Sequence, residues 1–206
     1  MKLYFVRHGE SEANTLGVIS NRESRYGLTE AGKQQANILA ARLKDVPLTE
    51  IYSSPILRAR ETAEILSQSF HLPYQITEAL REYDCGILEE KSDEESWKLH
   101  SEIAEDWTQN HNHLRKPDSG ETFLEISKRF IPFIESFTQN GLPQEDHILF
   151  VSHGGLLQLM LPEILTNIDH AFVRSHGIRH TQCIIAEQQS ANLVCLQWGN
   201  VKFDDV

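Results

Sequence analysis

Two short apolar runs, far apart in the chain, end in nearly the same way, and this pairing constrains the fold more than any other feature. Lys2 to Val6 runs into Arg7-His8-Gly9-Glu10, and His147 to Val151 runs into Ser152-His153-Gly154-Gly155. Apolar runs this short, closed by a turn, suit strands buried on both faces, and sheets of that kind carry helices on either side. The intervening sequence alternates accordingly. Thr29 is placed to cap a helix from about Glu30 to Lys44, with Ala36, Leu39, Ala40 and Leu43 on one stripe. Ile51-Tyr52 and Tyr74 to Thr77 are brief strand candidates. Ser54 followed by Pro55 reads as an N-cap with proline at the first helical position, ahead of the stripe Ile56, Ala59, Ala63 and Leu66. Phe123, Ile126, Phe130, Ile134 and Phe137 form the clearest helical stripe, with Pro132 expected to bend it. Ile184 to Ala186 and Leu193 to Gln197 read as a closing hairpin around the polar Glu187 to Asn192. The expected fold is therefore a three-layer α/β/α arrangement with a mostly parallel sheet and an antiparallel edge near the C-terminus.

A chain of 206 residues suits one such domain, 1–206, with room for an insertion. The segment from about 83 to 119 is the candidate. Between Glu82 and Asp106 acidic residues far outnumber Lys91 and Lys98, with Trp97, Ile103 and Trp107 among them, which reads as an acidic helical lid. The net charge of −11 disfavours nucleic acid and anionic membrane as partners, so any anion site must be local. The N-terminal residues lack a signal-peptide pattern, and no apolar stretch approaches membrane-spanning length, so a cytoplasmic location is expected. Cys85, Cys183 and Cys195 show no C-x-x-C spacing and suit reduced, packed thiols.

In open parallel sheets, ligands bind beyond the carboxyl ends of the strands. If the strands are parallel, Arg7-His8-Gly9, Ser53 to Arg58 and Ser152-His153-Gly154 converge on one crevice, and Glu82 lies just after a further strand candidate. Two arginines grip a tetrahedral oxyanion through paired N–H donors, and helix N-termini add backbone donors. A neutral imidazole in that cradle is a competent nucleophile, and the surrounding cations remove the need for a metal. A carboxylic acid at the rim would protonate the leaving oxygen and afterwards take a proton from water. Glu82 fits that post, with Asp84 in reserve. The substrate on this reading is a small-molecule phosphomonoester.

These residues resemble the histidine phosphatase superfamily, also called phosphoglycerate mutase-like. Arg7-His8-Gly9-Glu10-Ser11 with Asn14 matches the pattern R-H-G-[EQ]-[ST]-x-x-N. Leu28-Thr29-Glu30-x-Gly32 and Ser53-Ser54-Pro55-x-x-Arg58-Ala59-x-x-Thr62-Ala63 match the next two blocks. Leu80-x-Glu82 with Gly86, Gly120-Glu121, and Ser152-His153-Gly154-Gly155 match the rest. The resemblance implies a phosphohistidine at His8, proton exchange at Glu82, and phosphoryl oxygens held by Arg7, Arg58 and His153. Asn14, Ser20, Asn21 and the Gly154 backbone match positions lining the substrate pocket, and no cofactor or metal is implied.

Three departures bear on the branch. The F-T-G-W-x-D stretch of the family's mutases is replaced by Val18-Ile19-Ser20-Asn21-Arg22-Glu23. Glu82 and His153 stand only 71 positions apart, shorter than the mutase insertion. Leu88-Glu89-Glu90 stands where many relatives have tryptophan-glutamate-glycine. The first two favour a phosphatase over a bisphosphate-primed mutase, the third bears on the lid geometry carried over from relatives, and the presence of all the chemical residues disfavours a non-catalytic phospho-ligand module. The acidic lid also suggests that highly anionic bisphosphates are repelled at the entrance.

Each feature has a plainer alternative. An isolated histidine is usually an ordinary hydrogen-bonded side chain, and Arg7 or Arg58 alone would most simply pair with Glu10 or Glu61. His111 and His113, and His170, His176 and His180, lack partners at recognised metal-ligand spacing. Trp97 and Trp107 could stack a substrate ring, though core or lid anchoring is the more frequent use of isolated tryptophans, and Arg115 and Lys116 read either as a solvated pair or as a second anion contact from the lid.

Overall fold

The computed structural model describes residues 1–22, 25–139 and 145–203. Its strands are β1 (Lys2–Arg7), β2 (Glu50–Ser53), β3 (Tyr74–Ile76), β4 (His147–Ser152), β5 (Cys183–Gln189), β6 (Asn192–Trp198) and β7 (Val201–Lys202). Its helices are α1 (Glu12–Leu16), α2 (Glu30–Arg42), α3 (Leu57–Phe70), α4 (Glu94–Thr108), α5 (Phe123–Gln139), α6 (Gly154–Met160) and α7 (His170–Ser175). The sheet order is β3-β2-β4-β1-β5-β6-β7. Strands β1 to β4 run parallel, β5 lies antiparallel to β1, and β6 lies antiparallel to β5. The sheet is thus mixed and mostly parallel, and its antiparallel part extends further inward than an edge.

Alternation along β1 shows why both faces are covered. Leu3 and Phe5 join Ile148 and Phe150 in one core cluster, under Phe123, Ile126, Phe130 and Ile134 of α5. Tyr4 and Val6 join Leu149 and Val151 in the other, under Leu39 of α2 and Ala59, Ala63 and Leu66 of α3. Residues two apart share a face, so a run apolar at every position must be sandwiched. The α5 helix continues through Pro132.

Two local readings change. Ser54 does not cap α3, which starts at Leu57 with Ile56 as its N-cap. The chain stays extended past the end of β2, where Ser54 N–H still donates to the Val151 carbonyl, so the Ser54 side chain is directed to the sheet's end. The hairpin is tighter than its polar segment suggests. Glu187 to Gln189 and Asn192 pair within the ladder, leaving Ser190 and Ala191 at the turn, because alternate exposure on one face lets polar residues occupy strand positions. No helix among the described residues is long and apolar enough to cross a membrane.

Candidate active site

The register of β1 against β4 builds the site. Arg7 pairs with Ser152, and the His8 N–H donates to the Ser152 carbonyl at 3.0 Å, so His8 and His153 emerge side by side one residue beyond. Their ring centroids lie 5.1 Å apart. On the other flank of β4, Ser53 pairs with Val151, which brings Ser54 Oγ to 2.7 Å from His153 Nε2. Sequence reading had assigned that hydroxyl to a helix end; the adjacency of three strand ends was the signal that could have placed it here.

The His8 tautomer follows from its partners. Its Nδ1–H donates to the Gly9 carbonyl at 2.7 Å, and its Nε2 accepts the Arg58 Nε–H at 3.0 Å. Burial first, then the Arg58 charge, holds its pKa well below the usual 6.5, so the ring is neutral with its lone pair on Nε2. Arg58 is further fixed by donating to the Ser20 carbonyl at 2.7 Å, with Asn21 Oδ1 at 3.5 Å. Burial lowers its guanidinium to about 10, which leaves it charged at neutral pH. Ser20 therefore serves through its carbonyl, and Asn21 through its amide, whose Nδ2 also holds the Tyr83 carbonyl. Neither Arg7 nor Arg58 is held by a surface carboxylate in the way an isolated arginine would be; Arg7 donates to the Ile178 carbonyl at 2.8 Å. Arg7 Nε and His153 Nδ1 are buried with no partner among the described residues. Two buried nitrogens left unsatisfied beside a neutral imidazole suit an oxyanion with several acceptor oxygens.

The remaining motif blocks hold this loop in place. A side chain at Gly9 would meet the Gly32 carbonyl at 2.5 Å, so the signature loop and the start of α2 approach backbone to backbone. Thr29 caps Gly32, while its hydroxyl donates to Glu10 at 2.7 Å. Thr62 Oγ1 accepts the Gly9 N–H at 3.1 Å.

Glu82 accepts from the backbone N–H groups of Gly155 (2.9 Å), Leu156 (2.6 Å) and Tyr83 (3.1 Å). Burial pushes its carboxyl above the ordinary 4.5, against the lowering pull of Arg58 and those three donors. Asp84 instead pairs with Arg22 at 2.7 Å and accepts the Gly86 N–H, outside the cleft. Glu121, which the motif reading singled out, accepts the Asp84 N–H and the Arg129 guanidinium. It braces the Glu82 loop from behind.

His8, Arg7, Arg58, Glu82, Asn14, Ser20, Asn21 and Gly154 all line one cleft of about 650 Å³. His153 lies fully buried just beneath it, in ring contact with His8. One face of α4 completes the cleft with Trp97, His100, Ala104 and Thr108, while Ile103 and Trp107 on another face enter the core. Trp107 is thus a core anchor, whereas Trp97 is 38% exposed and faces the cleft. Sequence reading missed two neighbours. His180, weighed there only as a metal ligand, has its ring centroid 5.9 Å from His8 and shares a 3.1 Å hydrogen bond with Asn14 Oδ1. Arg174 also lines the cleft. Arg115 pairs with Asp106 at 2.6 Å and Lys116 lies 4.0 Å from Glu125, so both are matched on the surface. No cluster of potential metal ligands occurs among the described residues.

The model of the histidine phosphatase superfamily (branch 1) matches residues 3–201. The chain belongs to that superfamily. Among curated relatives of this chain is the protein named Probable phosphoglycerate mutase GpmB of Escherichia coli, 34% identical over 171 residues, covering 80% of this chain and 75% of that one. Bacillus stearothermophilus YhfR has a solved structure with TM-score 0.82 at 28% identity, covering 98% of both chains. The alpha-ribazole phosphatase from Shigella flexneri gives a TM-score of 0.79 at 25% identity, over 100% of both chains. Mycobacterial glucosyl-3-phosphoglycerate phosphatase, at 21% identity and a TM-score of 0.82 over 96% of this chain and 98% of that one, shares the fold.

Proposed function

We propose that this chain hydrolyses a small phosphomonoester by way of a phosphohistidine at His8, without a metal. The observation that carries the reading is the unprotonated Nε2 of a neutral His8, set among Arg7, Arg58 and His153, with Glu82 on the same cleft. Guanidinium and imidazole donors would hold the three equatorial oxygens as His8 Nε2 attacks phosphorus. The Arg58 Nε–H, which occupies that lone pair in the resting site, turns to a phosphoryl oxygen as the N–P bond forms. The bond from phosphorus to the leaving oxygen breaks, and that oxygen takes the Glu82 carboxyl proton. Water then attacks the phosphohistidine, its proton passes to the Glu82 carboxylate, and the N–P electron pair returns to Nε2. In this reading the 83–119 segment, with α4, is the cover of the cleft.

A second reading is favoured by the mutase name of the curated relatives. A mutase would return the phosphoryl group to a second hydroxyl and would need a bisphosphate primer.

The purified protein should release phosphate from p-nitrophenyl phosphate, and His8→Ala should abolish both turnover and acid-labile phosphoryl labelling. Retained activity in that variant assigns the nucleophile elsewhere. Interconversion of 2- and 3-phosphoglycerate that depends on 2,3-bisphosphoglycerate and outruns phosphate release overturns the phosphatase in favour of the mutase.

A further inference from the structure

Beyond the phosphoryl grip, the cleft has a second part of different chemistry. A continuous aromatic wall leaves the catalytic carboxyl and runs to the mouth. Tyr83 follows Glu82 directly; its ring stacks on His100 at 5.6 Å, and His100 meets Trp97 at 5.2 Å. The wall is held rigidly. Tyr83 Oη and His100 Nε2 are hydrogen-bonded at 2.8 Å, and Trp97 Nε1 donates to the Gly17 carbonyl at 2.8 Å. Burial lowers the His100 pKa to about 4, so this ring is uncharged near neutral pH. Val18 and Val173 add aliphatic surface to the same cleft.

The charges here are few. Apart from Arg7, Arg58 and Glu82, the Asp, Glu, Lys and Arg side chains lining the cleft among the described residues are Glu105 and Arg174, one of each sign. A second phosphate needs a fork of donors comparable to the first site, and one arginine set against a carboxylate does not supply it. Preordered aromatic surface instead favours a flat apolar partner, at little entropic cost to the protein.

Taking the phosphatase reading as its basis, we infer that Tyr83, His100 and Trp97 form a leaving-group subsite for a phosphomonoester carrying an uncharged aromatic ring and no second phosphate. The position of the wall beside Glu82 places that ring on the side from which the departing oxygen is protonated. Trp97 is the natural probe. Its indole N–H is committed to Gly17 while its ring remains part-exposed, so ring contact and backbone tie can be separated by substitution.

Non-hydrolysable phosphonates test the subsite without relying on turnover. Calorimetry on the wild-type protein should show 1-naphthylmethylphosphonate binding at least about ten-fold more tightly than ethylphosphonate or propane-1,3-diphosphonate. Trp97→Ala should erase most of that ratio, weakening the naphthyl compound by about ten-fold and ethylphosphonate by a smaller factor. Trp97→Phe, which keeps a ring but loses the bond to Gly17, should restore the preference. Equal weakening of both ligands in Trp97→Ala, no rescue by phenylalanine, or tighter binding of the diphosphonate overturns the subsite. Lack of binding by every phosphonate does so as well. Phosphate release from p-nitrophenyl phosphate, measured separately, tests the phosphatase reading itself, and either result can fail while the other stands.

Discussion

Arg58 Nε donates to His8 Nε2 at 3.0 Å, so one proposed phosphate-gripping cation sits on the lone pair that would attack phosphorus. The contact orients the proposed nucleophile and helps to keep it neutral, and on the proposed mechanism it opens when phosphate arrives. An oxyanion supplies a stronger acceptor than a neutral imidazole, which gives binding the means to release the nucleophile.

This makes arginine at position 58 more than a positive charge. Arg58→Lys retains the charge but loses the planar fork that spans His8, the Ser20 carbonyl and Asn21. We expect kcat/KM for p-nitrophenyl phosphate to fall by about 10²–10³-fold, the range seen when one preorganised transition-state donor is lost. A loss under about five-fold would show that charge alone suffices.

Gly155 controls the seat of Glu82. A methyl there would lie 2.6 Å from the Tyr83 ring and 2.9 Å from both Glu82 oxygens, whereas at Gly177 the nearest atom is Gln158 Oε1 at 3.6 Å. Gly155→Ala should therefore displace the carboxyl from its amide donors, lowering kcat by at least about ten-fold and stability by about 1–3 kcal/mol. Gly177→Ala is the matched control in both kinetics and urea titration. Equal behaviour of the two variants would remove Glu82 placement from the account.

The strand ends and the two-faced core were legible from the sequence because apolar runs and glycine turns are local signals. Leu3, Phe5, Tyr4 and Val6 divide between two cores as a run apolar at every position requires. The segment holding Ser54 was placed at the crevice, but the partner of its hydroxyl was not legible, since a serine before proline carries the same local signature whether it caps a helix or faces His153 across the sheet. His180 was equally hidden. It follows a segment without periodicity, and only the antiparallel docking of β5 on β1 brings it back to His8. Glu90 marks a subtler case. Its φ of 64° lies in the left-handed region that glycine favours, and glycine is the residue that the family resemblance leads one to expect there. Here its carboxylate accepts the Tyr26 hydroxyl at 2.8 Å and pairs with Arg25, interactions that offset the backbone strain. Glu23, the end of the segment replacing the mutase stretch, lies outside the described residues.

Turnover should carry the signs of two opposite shifts. On the proposed mechanism His8 must be unprotonated to attack, and its pKa is held well below 6.5, so the acid limb of kcat/KM is expected well below that value. Glu82 must be protonated to assist departure, and burial raises it above 4.5, so activity declines as pH rises through its elevated value. Glu82→Gln should lower kcat and flatten the alkaline limb between pH 4 and 9. An unchanged limb in that variant would assign the proton to another group.

Stability should fall on acidification for a separate reason. His8 and His153 are fully enclosed and His100 is held at about 4, each below the ordinary 6.5 and each chiefly through burial. Below 6.5 the unfolded chain binds protons at these rings while the folded chain does not, so the unfolded state gains. The stabilisation is complete above 6.5 and drains away as pH falls through the folded-state values. The raised Glu82 acts in the opposite direction, contributing most below its unfolded 4.5 and losing its contribution as pH rises through its folded value. With His147 and His180, which burial also lowers, five histidines outweigh one carboxylate across pH 7 to 5, where the histidines of the unfolded chain titrate. Urea titrations should therefore give a stability about 3–6 kcal/mol lower at pH 5 than at pH 7. His100→Phe, which keeps an aromatic ring beside Tyr83 and Trp97 and removes the titrating nitrogen, should reduce that difference. A pH dependence as steep in His100→Phe as in the wild type would place the proton uptake on other groups.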